Sequence, residues 1–397
     1  MTIYKQFRGN VLKIIRLLLS CLIPVKPGKI LFQSDPDYSD NARAFSDYLI
    51  AYSDYKMIWS VEDPSRFMSS ERVRFIEKDG GKSIIGKLKF IYETVSSQFL
   101  ISTHGAFLFA NKRNQTFVCC WHGMPLKRIA AWQNPDNKNY LNNTAFILST
   151  SKYYIPILAK CFGKKESEIA ATGYPRNDWL FQDSDVLERM GLELKQGHKL
   201  LMYLPTFRKT GQGGKESDSK KDPFKNSLLD FTSEKKLDEL NDYFGKRNIV
   251  MVIKPHPFES NQLGFHKLSN VLVVPHQFFL DRDIQLNNVL HYTDALITDF
   301  SGAYVDFLNL DRPIGFVVAD LEDYGTNRGF VFDTPTTYMP GMKIKDEKDF
   351  MDFCDMVSRG VDSYKEERHK VLPIFSDYQD GDNCKRLAQL LKLNIDN

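Results

Sequence analysis

The chain has 397 residues, 42% of them hydrophobic and 26% charged, and a net charge of +3. That length exceeds what one hydrophobic core usually serves, so two domains of a soluble globular protein are expected. The charge is too mild to point to nucleic acid. The six cysteines, at 21, 119, 120, 161, 354 and 384, lack C-x-x-C spacing, which argues against a zinc site and for a reduced, cytoplasmic setting.

From Met1 to Ser34 there are six Lys or Arg and no acid; the first carboxylate is Asp35. Ile3, Phe7, Val11, Ile14, Leu18 and Leu22 recur at steps of three and four, with Lys5, Arg8, Lys13 and Arg16 on the other side. The apolar run is far short of the roughly 20 residues that span a bilayer, and no small-residue cleavage site follows it. A basic amphipathic helix over 1–28 suits an anionic membrane surface; the other reading is a first helix packed on the protein's own core.

Short β-rich runs then alternate with helical patterns. "KILFQS" (Lys29–Ser34), "KMIWSV" (Lys56–Val61), "FLIST" (Phe99–Thr103), "FVCCW" (Phe117–Trp121) and "FILST" (Phe146–Thr150) read as strands. The pattern restarts at "KLLMYLPTF" (Lys199–Phe207) and continues through "NIVMVIKP", "NVLVVP", "DALITDF" and "PIGFVV". Two doubly wound α/β sheets in series are expected, over 29–190 and 191–397, with the boundary near Gln182 to Gln196. Arg208–Ser227 holds a single aromatic and no aliphatic residue, and reads as a loop beside the second sheet.

Several predicted strand ends break into polar residues, where α/β proteins handle ligands. The first is Trp121-His122-Gly123, and His104 follows "FLIST" in the same way. In the second half, Thr206 and Arg208 follow a strand, Pro255 and Pro257 bracket His256 beside Lys254, and "LITDFSGAYVDF" runs into Asp299, Ser301 and Gly302. Two prolines hold an imidazole on a stiff turn. A strand followed by Ser-Gly and a helix start presents backbone N–H groups to an anion, or simply caps the helix; both readings use the same groups. Taken alone, His122 or His256 is as readily structural. Together, with Arg208 and Lys254, they suit a diphosphate and a hydroxyl to be deprotonated. "GYPRND" (Gly173–Asp178) places Arg176 in a turn, either structural or lining a cleft. "DRD" (Asp281–Asp283) precedes a helical pattern and reads as an N-cap cluster, so no metal site is expected.

These blocks resemble the CDP-glycerol:poly(glycerophosphate) glycerophosphotransferases, bacterial enzymes of teichoic-acid and related polymer synthesis. The likeness rests on "WHGMPLK" (with Gly123 and Lys127), "GYPRND", "PTFR", "KPHP", the long block from "LITDFSGAYVDF" to "GFVFD", and "FSDYQDGDNCKRL". It implies a glycosyltransferase-B-like fold, two Rossmann-like doubly wound domains facing a central cleft, the first for the acceptor and the second for the CDP donor. It implies that His122 is the catalytic base and that His256 contacts the donor phosphates. The family's usual D-[YF]-S-S becomes Asp299-Phe300-Ser301-Gly302 here, so a second hydroxyl is replaced by backbone N–H.

The expected reaction is transfer of glycerol phosphate, or a related polyol phosphate, from a CDP-activated donor to a hydroxyl of a lipid-linked saccharide or polyol-phosphate acceptor, releasing CMP. No cofactor and no nucleic-acid partner are expected. A cytoplasmic enzyme peripheral on the inner face of the membrane fits the basic N-terminus. The alternatives are a sugar transferase of the same fold using a nucleotide sugar, and a non-catalytic membrane-surface binding protein.

Overall fold

The structure, a computed structural model, describes residues 18–19, 22–105, 107, 110, 114–139, 141–205, 233–255, 264–299, 301–318 and 329–396. The amphipathic stripe up to Arg16, and Thr206, Arg208 and His256, lie outside them. The chain divides into two units, one comprising Met1–His122, Ile129–Asp178 and Asp380–Asn397, the other Gly123–Arg128 and Trp179–Gln379. The second unit therefore does not run to the C-terminus.

Unit 1 is built on β1 (Lys26–Gln33), β2 (Lys56–Val61), β3 (Val73–Glu77), β4 (Ser97–Ser102), β5 (Thr116–Cys119), β6 (Phe146–Ser149) and β7 (Ile169–Ala171). They pair in the order β3-β2-β1-β4-β5-β6-β7, all parallel. Parallel strands are covered on both faces, which is why β1, β4 and β5 read as unbroken apolar runs rather than alternating ones. Helices α1 (Asp40–Tyr52), α2 (Ile84–Ser96) and α3 (Ile155–Phe162) are among its connections. Leu31, Ile58, Leu100 and Phe117 from the strands meet Phe90 of α2 in one buried cluster.

Unit 2 repeats the plan with β8 (Lys199–Leu204), β9 (Ile249–Ile253), β10 (His266–Lys267), β11 (Val271–Val273), β12 (Ala295–Thr298), β13 (Ile314–Val317) and β14 (Met342–Ile344). The order is β10-β11-β9-β8-β12-β13-β14, parallel except for the two-residue edge strand β10. Among its helices, α4 (Glu234–Gly245) and α6 (Glu347–Ser358) bury Leu237, Phe244, Phe350 and Phe353 against the sheet, while α5 (Ala303–Phe307) follows β12.

In each sheet, the strand first in sequence lies in the interior, third of seven in unit 1 and fourth of seven in unit 2, and the order reverses beside it. This is the Rossmann arrangement, with its ligand crevice at the carboxyl ends of the strands at that reversal. The reversal lies between β1 and β4 in unit 1, and between β8 and β12 in unit 2. The strands that the sequence pattern passes over, β3, β7, β10 and β14, stand at or next to sheet edges and have two to five residues.

The C-terminal helix, Asn383–Leu390, is held to unit 1 by one carboxylate. Asp178 accepts from the backbone N–H groups of both Asn383 and Cys384 at 2.8 Å. This takes up two N–H groups that a helix start leaves unpaired, and burial pushes the Asp178 carboxyl up to about 6. Gly173 makes the approach possible. Its φ is +78°, and an added Cβ would lie 1.9 Å from Asn383 Oδ1. We expect Gly173→Ala to cost about 1–3 kcal/mol through the left-handed backbone and the collision. Thermal unfolding checks this, and an unchanged melting temperature would contradict it.

Candidate active site

The unit 1 site begins with the loop after β1. Tyr38 is wedged edge-on against Trp59, Phe67 and Phe75, with ring centroids 4.8, 5.2 and 5.0 Å away. This aromatic packing fixes where α1 starts and so places Asp40 and Asn41 on the carboxyl side of the sheet. Asn41 is fully buried. Its Nδ2 donates to the Trp121 carbonyl at 2.9 Å, and its Oδ1 accepts the Arg176 N–H at 3.1 Å. Arg176 pairs with Asp40 at 2.8 Å. One helix start thus ties together the loop after β5 and the "GYPRND" turn.

Trp121 has φ of +58°, a region that costs energy for a bulky side chain and persists only where its surroundings hold it. Asn41 holds its carbonyl, Phe162 meets its ring edge-on at 4.8 Å, and Cys120 N–H donates to Ser102 O at 2.7 Å. The turn sends the chain out of the sheet, so that His122 leaves its end with a solvent-exposed edge.

His104, which follows β4 at the order reversal, stacks on His122, with ring centroids 3.8 Å apart and planes 9° apart. Thr103 Oγ1 lies 3.0 Å from His104 Nδ1 and accepts the Asp35 N–H at 3.2 Å. Protein packed around His122, and then the adjacent His104, push the His122 imidazole down to about 3, although one edge reaches solvent; Asp40 opposes the shift. Burial also lowers His104. At neutral pH both rings are uncharged, and His122 presents a lone pair.

Unit 2 places a second set of groups. Lys254 follows β9, and its N–H donates to Tyr203 O at 3.0 Å. Burial alone pushes its amine down to about 8, and the Phe279 ring lies 5.2 Å from Nζ. Asp299 is buried at the end of β12, next to the Thr298 hydroxyl that donates to Leu204 O at 2.7 Å. Lys254 and Asp299 therefore follow the two strands that flank β8. Ser301 Oγ accepts the Ala303 N–H at 3.3 Å, so the capping reading holds for that group, and the five-residue α5 has little dipole to offer. Gly302 is required by proximity, since a Cβ there would lie 3.3 Å from Met124 O and 3.5 Å from Gly123 Cα. The same loop bridges onward, with Lys127 opposite Phe330 and Val331 N–H donating to Leu126 O at 2.9 Å. Among the described residues, no three His, Cys, Asp or Glu side chains are placed to hold a metal ion.

Of the residues predicted from sequence, the structure brings His104, His122 and Arg176 into one cluster, and Gly123 and Gly302 into another. Asp40, Asn41 and Thr103 are the parts that sequence reasoning missed. The signal for Asp40 and Asn41 was the polar run "SDPDYSDN" after the first strand, and Thr103 closes the run "FLIST" just before His104.

The family model of CDP-Glycerol:Poly(glycerophosphate) glycerophosphotransferase matches residues 15–393. The chain belongs to this family. Similar members include a teichoic acid poly(glycerol phosphate) polymerase of Bacillus spizizenii, 27% identical over 83% of this chain and 84% of its own length. A teichoic acid glycerol-phosphate transferase of Staphylococcus aureus is 24% identical over 89% and 90%. A teichoic acid ribitol-phosphate polymerase, TarL, also of S. aureus, is 29% identical over 70% of this chain, and the match spans 48% of its length. Among solved structures, the wall teichoic acid polymerase TagF superposes with a TM-score of 0.75, at 22% identity, over 98% of this chain and 97% of that one. That likeness shows the fold: two Rossmann-like domains in series, the glycosyltransferase-B-like plan expected for the glycerophosphotransferase family.

The histidine pair has a stability signature. Both folded-state values lie below the ordinary histidine value, so the unfolded chain binds more protons below about pH 6.5. Stability should be fully present above that pH and fall as the medium is acidified through it. Melts of the wild type and of a His104→Gln/His122→Gln double variant check this. The acid-side loss should be smaller in the variant, and identical pH profiles would contradict the lowered values of these rings.

Proposed function

We propose that the chain transfers a polyol phosphate from a CDP-activated donor to an acceptor hydroxyl, with CMP leaving. The observation that carries this is His122, an uncharged imidazole held clear of the β5 end by a strained turn, in a chain of the glycerophosphotransferase family. His122 takes the proton of the acceptor hydroxyl. The freed oxygen attacks the phosphorus that bears the polyol, the bond from that phosphorus to the bridging oxygen breaks, and CMP carries away the electron pair. A base held neutral by its neighbours gains proton affinity when phosphate charge arrives beside it, which brings His122 toward the working range at the moment it is needed.

Such transfer depends mainly on positioning and charge stabilisation. Lys254, with Arg208, Thr206 and His256, would hold the diphosphate, aided by backbone near Ser301 and Gly302, with Asp299 fixing the β12 end. Arg176, Lys127 and Gly123 would border the acceptor. In this reading, unit 1 supplies the acceptor groups and unit 2 the donor groups. A solved TagF structure is described as containing CDPG, which supports CDP-glycerol as the first donor to try. A lipid-linked acceptor and a peripheral membrane location are the reading that suits the basic segment before β1.

We expect His122→Ala to keep donor binding and lose about two to four orders of magnitude in turnover. CMP release from CDP-glycerol, with calorimetry of donor binding, checks it; near-native turnover at saturating acceptor would remove His122 as the base. Release of a nucleoside diphosphate instead of CMP would favour a sugar transferase, and no turnover with any donor would favour a binding protein.

A further inference from the structure

The amino ends of the unit 1 strands, opposite to the His122 end, carry a cavity of about 420 Å³. Lys26 opens β1, Lys56 opens β2, and Arg72 and Arg74 stand at and in the start of β3; all four line it. Of the acids there, Glu93 is already neutralised by buried Lys29 and by Arg74 at 3.0 Å, Asp54 lies at the exposed rim 3.6 Å from Arg72, and Glu71 is exposed, which leaves Lys26 and Lys56 without a carboxylate partner among the described residues. Tyr92 closes one wall, with Lys26 hydrogen-bonded to its hydroxyl.

Tyr92 is also the last residue of an outward apolar stripe on α2. Ile84, Ile85 and Leu88 are 77%, 78% and 63% exposed, and Tyr92 38%. Their display is built in. The first turn of α2 is pinned at Gly86, where a Cβ would lie 2.3 Å from Gly80 O, and Ser83 caps it. Lys82, Lys87 and Lys89 are interleaved with the stripe, and none of them, nor Lys56, has a carboxylate partner among the described residues. An apolar stripe flanked by lysines and joined to a cationic cavity matches an amphiphile with an anionic head.

We propose that this face docks on an anionic phospholipid bilayer, with the cavity receiving a headgroup phosphate and Ile84, Ile85 and Leu88 entering the acyl boundary. The charge complementarity selects the occupant: an apolar protein partner would not need the unpaired lysines, and a free phosphate would not need the stripe. The site is separate from the strand ends that carry His122. It also lies beside the start of β1 at Lys26. The proposal rests on the reading that the enzyme works at a lipid surface, and adds a second attachment that is independent of residues 1–17.

The test is co-sedimentation of the full chain with phosphatidylcholine vesicles, with and without phosphatidylglycerol, beside thermal melts and CMP release on a soluble acceptor. Wild-type protein should bind only the anionic vesicles, and less at high salt. Ile85→Glu/Leu88→Glu should weaken binding about tenfold or more, and Lys56→Glu/Lys87→Glu/Lys89→Glu roughly a hundredfold, with melts and soluble turnover unchanged. Deleting residues 1–17 should leave part of the binding in place. Variants that sediment like wild type would overturn the proposal and assign docking to residues 1–17. A lower melting temperature with unaltered vesicle binding would overturn it too, by assigning the stripe to contacts within the chain. Displacement from vesicles by soluble glycerol phosphate would identify a free-anion site instead. Loss of CMP release with vesicle binding intact would sink the transfer reading and leave this one standing.

Discussion

The side chain of Asn41 holds the candidate acceptor site together. It donates to the Trp121 carbonyl and accepts from the Arg176 N–H, while buried from solvent. Without the first bond, the left-handed Trp121 turn, which its indole disfavours, would keep only the Phe162 contact and the Cys120 N–H bond beside it. His122 is aimed only because that turn is held. The strain is local, and what resists it is drawn from three segments far apart in sequence: the start of α1, the loop after β5 and the "GYPRND" turn after β7. The aromatic wedge at Tyr38 supports the same point from behind by fixing where α1 begins.

The two units do similar things with different chemistry. Each has its first strand at an order reversal, and each places its polar groups at carboxyl ends beside that reversal. Unit 1 offers an uncharged histidine pair, suited to accepting a proton. Unit 2 offers a half-buried amine with depressed pKa and closely approached backbone at Gly302, suited to phosphate. A proton or a phosphate brought there meets groups already oriented by the fold. The opposite end of unit 1 has another character, cationic and apolar together, consistent with attachment rather than chemistry.

Much of this was legible in the sequence because parallel sheets write themselves as short apolar runs that stop abruptly. The runs at β1, β2, β4, β5, β8 and β12 were visible for that reason, and so were His104, His122, Lys254 and Asp299 at their ends. The edge strands β7, β10 and β14 were not, since two or three residues carry no readable period. Asp40 and Asn41 were missed because a polar run before a helix looks like ordinary capping; only the fold shows that Asn41 reaches Trp121, eighty positions on. The return of the last helix to unit 1 was hidden for a similar reason. It depends on Asp178 meeting Asn383 and Cys384, a contact between two turn-like segments with no periodic signal. The exposed stripe on α2 also ran against expectation, because apolar residues at helical spacing usually face a core.

The central claim is that the Asn41 clamp positions His122 for proton transfer. The most direct measurement is turnover and donor affinity of Asn41→Ala, taken with its thermal melt. The account predicts a protein that still folds and binds the CDP donor with native affinity, but turns over about tenfold to a hundredfold more slowly, the loss expected when a catalytic group is misplaced by about an ångström. Native turnover in a folded Asn41→Ala protein would contradict it.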